Sequence, residues 1–284
     1  MAIDPVDDIL RHHGVTGPWQ PLLATGLANR IYATEDLILR VATDHDEAVP
    51  DARTESVAAP VAHQAGILTP RLIAFDDSRT LIDRPYSLWE RVHGETLGLA
   101  RLDPARQMEV WRQVGQQILQ LHSTVANCPD PDGYLDEPGR ELDLYPALRR
   151  WADSGHAPQG GVRQMEELIS ELLPQVIRGA DGRCFLHNDL HEMNIMCTRE
   201  ARLLALLDWG DAGWGDPVLD FAAVPFSLLP AALEGFGREN WPRLGDCPQA
   251  RLVWDRLENA LDDAADDPSC TIPLAAYREF LDRG

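Results

Sequence analysis

Three short apolar runs separated by polar residues constrain this chain more than anything else in it. Cys184, Phe185 and Leu186 precede a polar loop, Ile195 and Met196 follow it, and Arg202 to Leu207 form a third run that ends at Asp208. The first is a short apolar segment, and the last two read as strands. A turn near Thr198 to Ala201 joins the last two runs into a hairpin, which returns Asp208 to the side of Asn194. The loop is thereby held at both ends, and His187, Asp189, Asn194 and Asp208 become one ordered set.

That set suits phosphoryl transfer, which asks little covalent chemistry of a protein and much positioning and charge neutralisation. Asp189 can take a hydroxyl proton. Asn194 and Asp208 offer the hard oxygen ligands that magnesium prefers. Any one of these residues alone reads as an ordinary cap or turn former, so the inference rests on their joint spacing and apolar flanks. His187 is read as packing and orienting the loop. Asp216 and Asp220 are read as buried acceptors for backbone N–H groups of the catalytic loop, with an extra metal or substrate contact as the alternative.

The stretches HNDLHEMN and DWGDAGWGDPVLD resemble the catalytic and metal-binding motifs of the aminoglycoside phosphotransferase family, relatives of the protein kinases. The resemblance implies an α+β, bilobal protein-kinase-like fold, with a small antiparallel β-sheet N-lobe and a larger, mainly helical C-lobe. It also implies Mg2+ with ATP or GTP as phosphoryl donor, and a small-molecule hydroxyl as acceptor. Asp189 matches the family's catalytic aspartate, and Asn194 and Asp208 match its magnesium ligands. Trp209 and Gly210 stand where protein kinases carry the Phe and Gly of their DFG motif. On this frame residues 1–93 form the nucleotide-binding lobe with a hinge near 88–94. Residues 94–284 form the helical lobe, with a catalytic loop at 185–197 and a metal-binding segment at 208–216.

The chain before the hinge reads β-rich. Runs 29–33 and 36–42 form a hairpin about Thr34 and Glu35. Ahead of them, Gly26 and Asn29 lie where a nucleotide-covering loop belongs, a simple turn being the alternative. The following strand offers Arg40 where kinases place a lysine against the α and β phosphates. Its planar fork is chemically competent there, although ordinary strand-surface arginine is the plainer reading. Residues 51–65 read as a helix with Val57, Val61 and Ala65 on one face, and Glu55 on it is the candidate partner of Arg40. The segments RLIAFD, TLID and YSLWERV complete the sheet.

After Gly94 the pattern turns helical. Asp103 and Pro104 make an N-cap and first-turn pair, and Met108, Trp111, Val114, Ile118 and Leu121 recur as a core face. Residues 125–141 read as a loop, and helices follow near 143–152, 162–178, 217–230, 249–264 and 272–282. Acidic groups gather early in this lobe, from Asp130 to Asp143, and late, from Glu258 to Asp267. Some of them are candidates to neutralise amino groups of an acceptor, each being individually more typical of solvated surface.

Composition narrows the partners. A formal net charge of −21 disfavours nucleic acid and favours a cationic substrate, with solubility as the plain alternative. All 25 basic side chains are arginine. Five scattered cysteines without a CxxC pair fit reduced thiols, and no apolar run approaches a membrane span, so a cytoplasmic protein, monomer or homodimer, is expected. The leading reading is an ATP- or GTP-dependent O-phosphotransferase acting on a cationic antibiotic, an aminoglycoside or a basic cyclic peptide of the capreomycin or viomycin kind. A choline- or homoserine-kinase-like metabolite enzyme, with tryptophans forming a cage for a quaternary ammonium, is the alternative. A catalytically silent nucleotide-binding module is the alternative of another class.

Overall fold

The computed structural model describes residues 5–22, 27–178 and 182–283. Gly26, expected in the nucleotide-covering loop, lies outside them. The first part runs α1 (Pro5–His12), β1 (Gln20–Leu22), β2 (Asn29–Ala33), β3 (Leu37–Ala42), α2 (Ala48–Gln64), β4 (Leu72–Asp76) and β5 (Tyr86–Glu90). The strands form one antiparallel sheet in the order β1-β2-β3-β5-β4. Alternation along β3 sends Leu39 and Val41 to one face, where they bury with Val6, Ile9 and Leu10 of α1. Ile38 and Arg40 are left on the other face, toward the cavity described below. The spacing of Val6, Ile9 and Leu10 is the helical signal that the sequence reading passed over.

Three expectations fail here, each for a physical reason. TLID is not a strand, because β4 pairs directly with β5 and leaves no free edge between them. Leu81 and Ile82 pack against the α1 cluster instead. The helix expected at 51–65 begins three residues earlier, with Pro50 inside its first turn, where a missing N–H costs nothing. Its buried residues include Ala52, Glu55, Ala58, Ala59 and Ala62, while Val57, Val61 and Ala65 are only partly buried. Small side chains let α2 lie close against its neighbours.

The rest runs β6 (Glu95–Thr96), α3 (Pro104–Thr124), α4 (Tyr145–Ser154), α5 (Gly161–Arg178), β7 (Cys184–Leu186), β8 (Ile195–Cys197), β9 (Leu203–Leu206) and β10 (Gly213–Gly215). It closes with α6 (Leu229–Phe236), α7 (Pro248–Asp266) and α8 (Leu274–Asp282), with 3-10 turns at Pro217–Phe221 and Arg238–Leu244. The single helix expected at 217–230 is a 3-10 turn and then α6, interrupted at Pro225, which has no N–H to continue a helix. Asp103 caps α3 by accepting the Arg106 N–H at 3.0 Å. Trp111, Val114, Ile118 and Leu121 are buried as expected, but Met108 at the start of the stripe is exposed. Gly115 is required: a Cβ there would lie 1.9 Å from the Ala232 carbonyl oxygen, so α3 and α6 touch backbone to backbone. A second core joins α4, α5, α7 and α8 around Trp151, Leu168 and Trp254. Among the described residues no helix is long and apolar enough to cross a membrane.

Candidate active site

The hairpin forms as the apolar runs dictate: β8 and β9 pair through Ile195 and Leu206, and the Leu207 N–H donates to the Asn194 carbonyl at 2.8 Å. Asp208 follows at once. Between β7 and β8 the Asn194 side-chain amide donates to Asp189 Oδ2 at 2.7 Å and to the Asp189 carbonyl at 3.0 Å. That fixes the Asp189 carboxylate through the amide nitrogen of Asn194. Burial opposes ionisation of Asp189, but His191 at 3.5 Å, with His187 and Asn194, outweighs it and holds the carboxyl below its usual range. The same contact raises the His191 pKa, its hydrogen bond to Asp189 outweighing the desolvation.

The loop is strained where it carries function. Asn188 and Asp208 have φ of 68° and 65°, a left-handed conformation that non-glycine residues rarely adopt and that the surroundings must enforce. Asp220 supplies part of that enforcement: its Oδ1 accepts the N–H groups of His187 at 2.9 Å and Asn188 at 2.7 Å. His187 is wholly buried, bonds the Leu207 carbonyl through Nε2 at 2.9 Å and lies 4.4 Å from the Trp209 ring. Desolvation lowers its pKa, so the ring is a neutral brace between the two catalytic segments. Asp216 is spent on structure. It caps the 3-10 turn through Val218 and pairs with Arg140 at 2.7 Å and with Arg251.

Arg40 and Glu55 meet. The guanidinium Nη1 donates to both Glu55 oxygens, at 2.6 and 2.7 Å, while Nη2 reaches Asp208 Oδ1 at 3.1 Å. One planar fork thus links β3, α2 and the segment after β9, which a point-like ammonium does less well. Burial works against the Arg40 cation, yet the two carboxylates outweigh it and raise its pKa. On Glu55 burial prevails over Arg40, with Asp208 adding to it, and its pKa rises to about 7. Trp209 is buried and bonds Thr69 at 3.0 Å, and a Cβ on Gly210 would lie 2.7 Å from that of Asp51.

These groups surround a cavity of about 340 Å³. Ile31, Ile38 and Trp89 wall it on the sheet side, Met193 and Leu207 on the other, with Arg40, Asn194 and Asp208 at its polar end. Asn29, at the start of β2 opposite Ala42, is not among its lining residues. Among the described residues no three His, Cys, Asp or Glu side chains are arranged to hold a metal. The donor set of Asn194 and Asp208 fits magnesium, which usually binds through one or two protein oxygens and keeps the rest for phosphate and water.

The sequence reading missed Asp51 and Asp211. Asp211 is pushed up to about 6 by desolvation and by Asp189, Asp136 and Asp208. Asp51 is pushed up to about 6 by desolvation, then by Asp211, Asp208 and Glu47. Asp136 comes from the 125–141 loop, which docks here when its N–H bonds the Ala212 carbonyl at 3.1 Å and its carbonyl accepts the Trp214 N–H at 3.1 Å. Other early and late acids are occupied elsewhere: Asp130 caps Tyr134 and Leu135, Glu137 pairs with Arg183, and Asp262 and Asp266 pair with Arg150. The only sequence signal for the pair is position: Asp211 lies three residues after Asp208 and Asp51 one helical turn before Glu55.

A five-stranded antiparallel sheet and a mainly helical body, meeting at an arginine–glutamate pair and an Asp-Trp-Gly turn, define a kinase-like α+β fold. The sequence pattern of APH, the phosphotransferase enzyme family, matches residues 20–266, and the chain belongs to that family. The fold is shared with the GDP complex of an aminoglycoside 2′-phosphotransferase IIIa mutant, at a TM-score of 0.64 and 13% identity over 98% of this chain and 95% of that one. A choline/ethanolamine kinase family protein from Mesorhizobium loti superposes at 0.57 with 19% identity, over 99% and 93%. Spectinomycin phosphotransferase in complex with ADP and spectinomycin gives 0.61 and 13%, over 99% and 94%. In sequence, mouse (Mus musculus) acyl-CoA dehydrogenase family member 10 is 26% identical over 194 residues, 64% of this chain and 17% of its own length. Chicken (Gallus gallus) member 11 is 26% identical over 179 residues, 61% of this chain and 23% of that protein. The chain therefore spans about a fifth of the length of these curated relatives.

Proposed function

We propose that the protein transfers the γ-phosphoryl group of ATP or GTP to a hydroxyl of a small cationic molecule. The observation that carries this is the meeting of Arg40, Asn194 and Asp208 at one end of the cavity, with the Asp189 carboxylate bonded to the Asn194 amide beside it. Residues 1–93 act as the nucleotide-binding lobe and 94–284 as the helical lobe, with 88–94 as hinge. The apolar cavity takes the base. Arg40, held by Glu55, neutralises the α and β phosphates. Asn194 Oδ1 and Asp208 would hold Mg2+, whose charge neutralises the β and γ phosphates. Asp189, aimed by the Asn194 amide, orients the acceptor hydroxyl and accepts its proton; in a loose transition state the aiming matters more than full deprotonation.

The acceptor is cationic because Asp51, Asp136 and Asp211 stand beside this centre outside the salt bridges formed among the described residues. A hydroxyl-rich polyamine of the aminoglycoside type fits such a surface, as does a basic cyclic peptide antibiotic. One structural relative is a ternary complex with streptomycin and ATP, and another a complex with ADP and spectinomycin. A choline-like acceptor is supported less, because Trp209 and Trp254 are fully buried and unable to cage an ammonium. The test is incubation of cationic antibiotics and small amino alcohols with ATP or GTP and magnesium, read by product mass. A gain of one phosphoryl mass on a cationic compound is expected; transfer only to neutral or anionic alcohols, or none with any acceptor, would overturn the reading.

A further inference from the structure

A further cavity of about 340 Å³ lies among α6, α7, α8 and the 3-10 turn Arg238–Leu244, and it shares no lining residue with the cavity lined by Arg40 and Asp208. Its volume falls in the range of roughly 300–1,000 Å³ usual for small-ligand sites. Gly237, with φ of 85°, ends α6 and turns the chain into the 3-10 turn. Residues three apart eclipse in that geometry, so the Arg238 guanidinium stands over the Trp241 ring, 5.7 Å from its centre. Leu233 of α6 and Phe280 of α8 complete an apolar wall, and the Phe280 ring is held edge-on against Phe226 at 5.6 Å.

Three features of this wall favour a negative group. Arg238 forms no ion pair among the described residues, although the chain carries 46 acidic side chains to 25 arginines. Its charged neighbours on the wall are already paired, Glu234 with Arg112 and Arg283 with Glu279. The 19-residue α7 opens beside Gln249 with no side-chain cap and no acid in its first turn, so its free N–H groups add positive potential. The Trp241 indole N–H is buried without an acceptor among the described residues. We propose that this cavity binds an organic anion, a carboxylate on a small apolar or aromatic body that packs on Trp241 and Phe280 while its oxygens meet Arg238 and the start of α7. The net charge of −21 repels anions at long range, so selection of one has to come from these local groups. The inference stands apart from the phosphotransfer reading, and its test involves no turnover.

Three compounds with one body and different charge test it: 4-phenylbutyrate, its neutral amide and 4-phenylbutylamine. Calorimetry should find one saturable site for the carboxylate with Kd of about 1 mM or below, and binding of the amide and the amine weaker by about ten-fold or more. Arg238→Gln should weaken the carboxylate by about ten-fold and leave the amide unchanged. Arg238 is exposed, so the fold tolerates that replacement. In the nitrogen–proton spectrum of the unaltered protein, the indole signal that Trp241→Phe deletes should shift as the carboxylate binds. Saturating ADP should change the carboxylate's affinity by less than about two-fold, because the two cavities are separate. Competition by ADP, equal binding of amine and carboxylate, undiminished binding to Arg238→Gln, or no saturable binding of the carboxylate would overturn the proposal.

Discussion

The two halves of the site treat charge in opposite ways. On the nucleotide side every strong charge has a partner: Arg40 binds Glu55 and Asp208, and Asp189 is held by Asn194 and His191. On the proposed acceptor side Asp51, Asp136 and Asp211 form no salt bridge among the described residues, and desolvation and the neighbouring carboxylates raise the first and last to about 6. A paired set is built to present one geometry. An unpaired set carries electrostatic energy that an incoming cation releases, so the first half supplies positioning and the second supplies affinity.

The comparison breaks most decisively at Asp189. Asp189→Asn should lower kcat by about three decades or more with nucleotide affinity retained, since its role belongs to the transition state. Activity near wild type, measured by steady-state turnover, would remove the paired half's reason to exist. A smaller effect is expected at Arg40. Arg40→Ala should raise nucleotide KM by about ten-fold or more, because it removes the phosphate contact and leaves Glu55 buried without its partner. Unchanged nucleotide kinetics would reduce Arg40 to a scaffold residue.

The smallest expected effects probe the unpaired half. Asp51 and Asp211 titrate near pH 6 rather than near the ordinary 3.8, so the acceptor's KM should rise as pH falls through about 6. Asp211→Asn should flatten that profile. The sign for stability is the reverse: a raised carboxyl pKa means that the folded state binds protons more tightly than the unfolded one. The ionised groups then cost stability at neutral pH, and the cost is relieved as pH falls through about 6. Solvent screening keeps this small, so Asp211→Asn should raise Tm by only about 1–2 °C at pH 7.5. A lower Tm with an unchanged acceptor KM would show that Asp211 supports the fold and not the acceptor.

The paired half was legible in the sequence because its geometry is local. Short strands and a tight turn bring Asn194 and Asp208 together wherever the rest of the chain goes, and Arg40 and Glu55 sit on elements that pack as neighbours. The unpaired half was less legible because a carboxylate's role depends on what it lacks. Asp130 and Asp51 are the same residue type in acidic surroundings, yet one caps a turn and the other faces the site. The TLID segment shows the same limit: its apolar residues were evident, but whether a sheet edge stood free to receive them was set by β4 and β5. His122 closed a well-marked helical stripe, and only the folded chain showed that its ring reaches a carboxylate 98 residues away.

The arginine at position 40 also decides which chemical reagents and modifying enzymes can act on this protein. No side chain in the sequence bears a primary amine, since every basic residue other than histidine is arginine. Nucleotide analogues that trap kinases by acylating the phosphate-contacting lysine find no side-chain amine here, and lysine acetylation has no target in this sequence. A proteome-wide amine-directed screen for nucleotide-binding proteins would pass this one by, whereas a guanidine-selective dicarbonyl reagent would have a residue to attack at position 40.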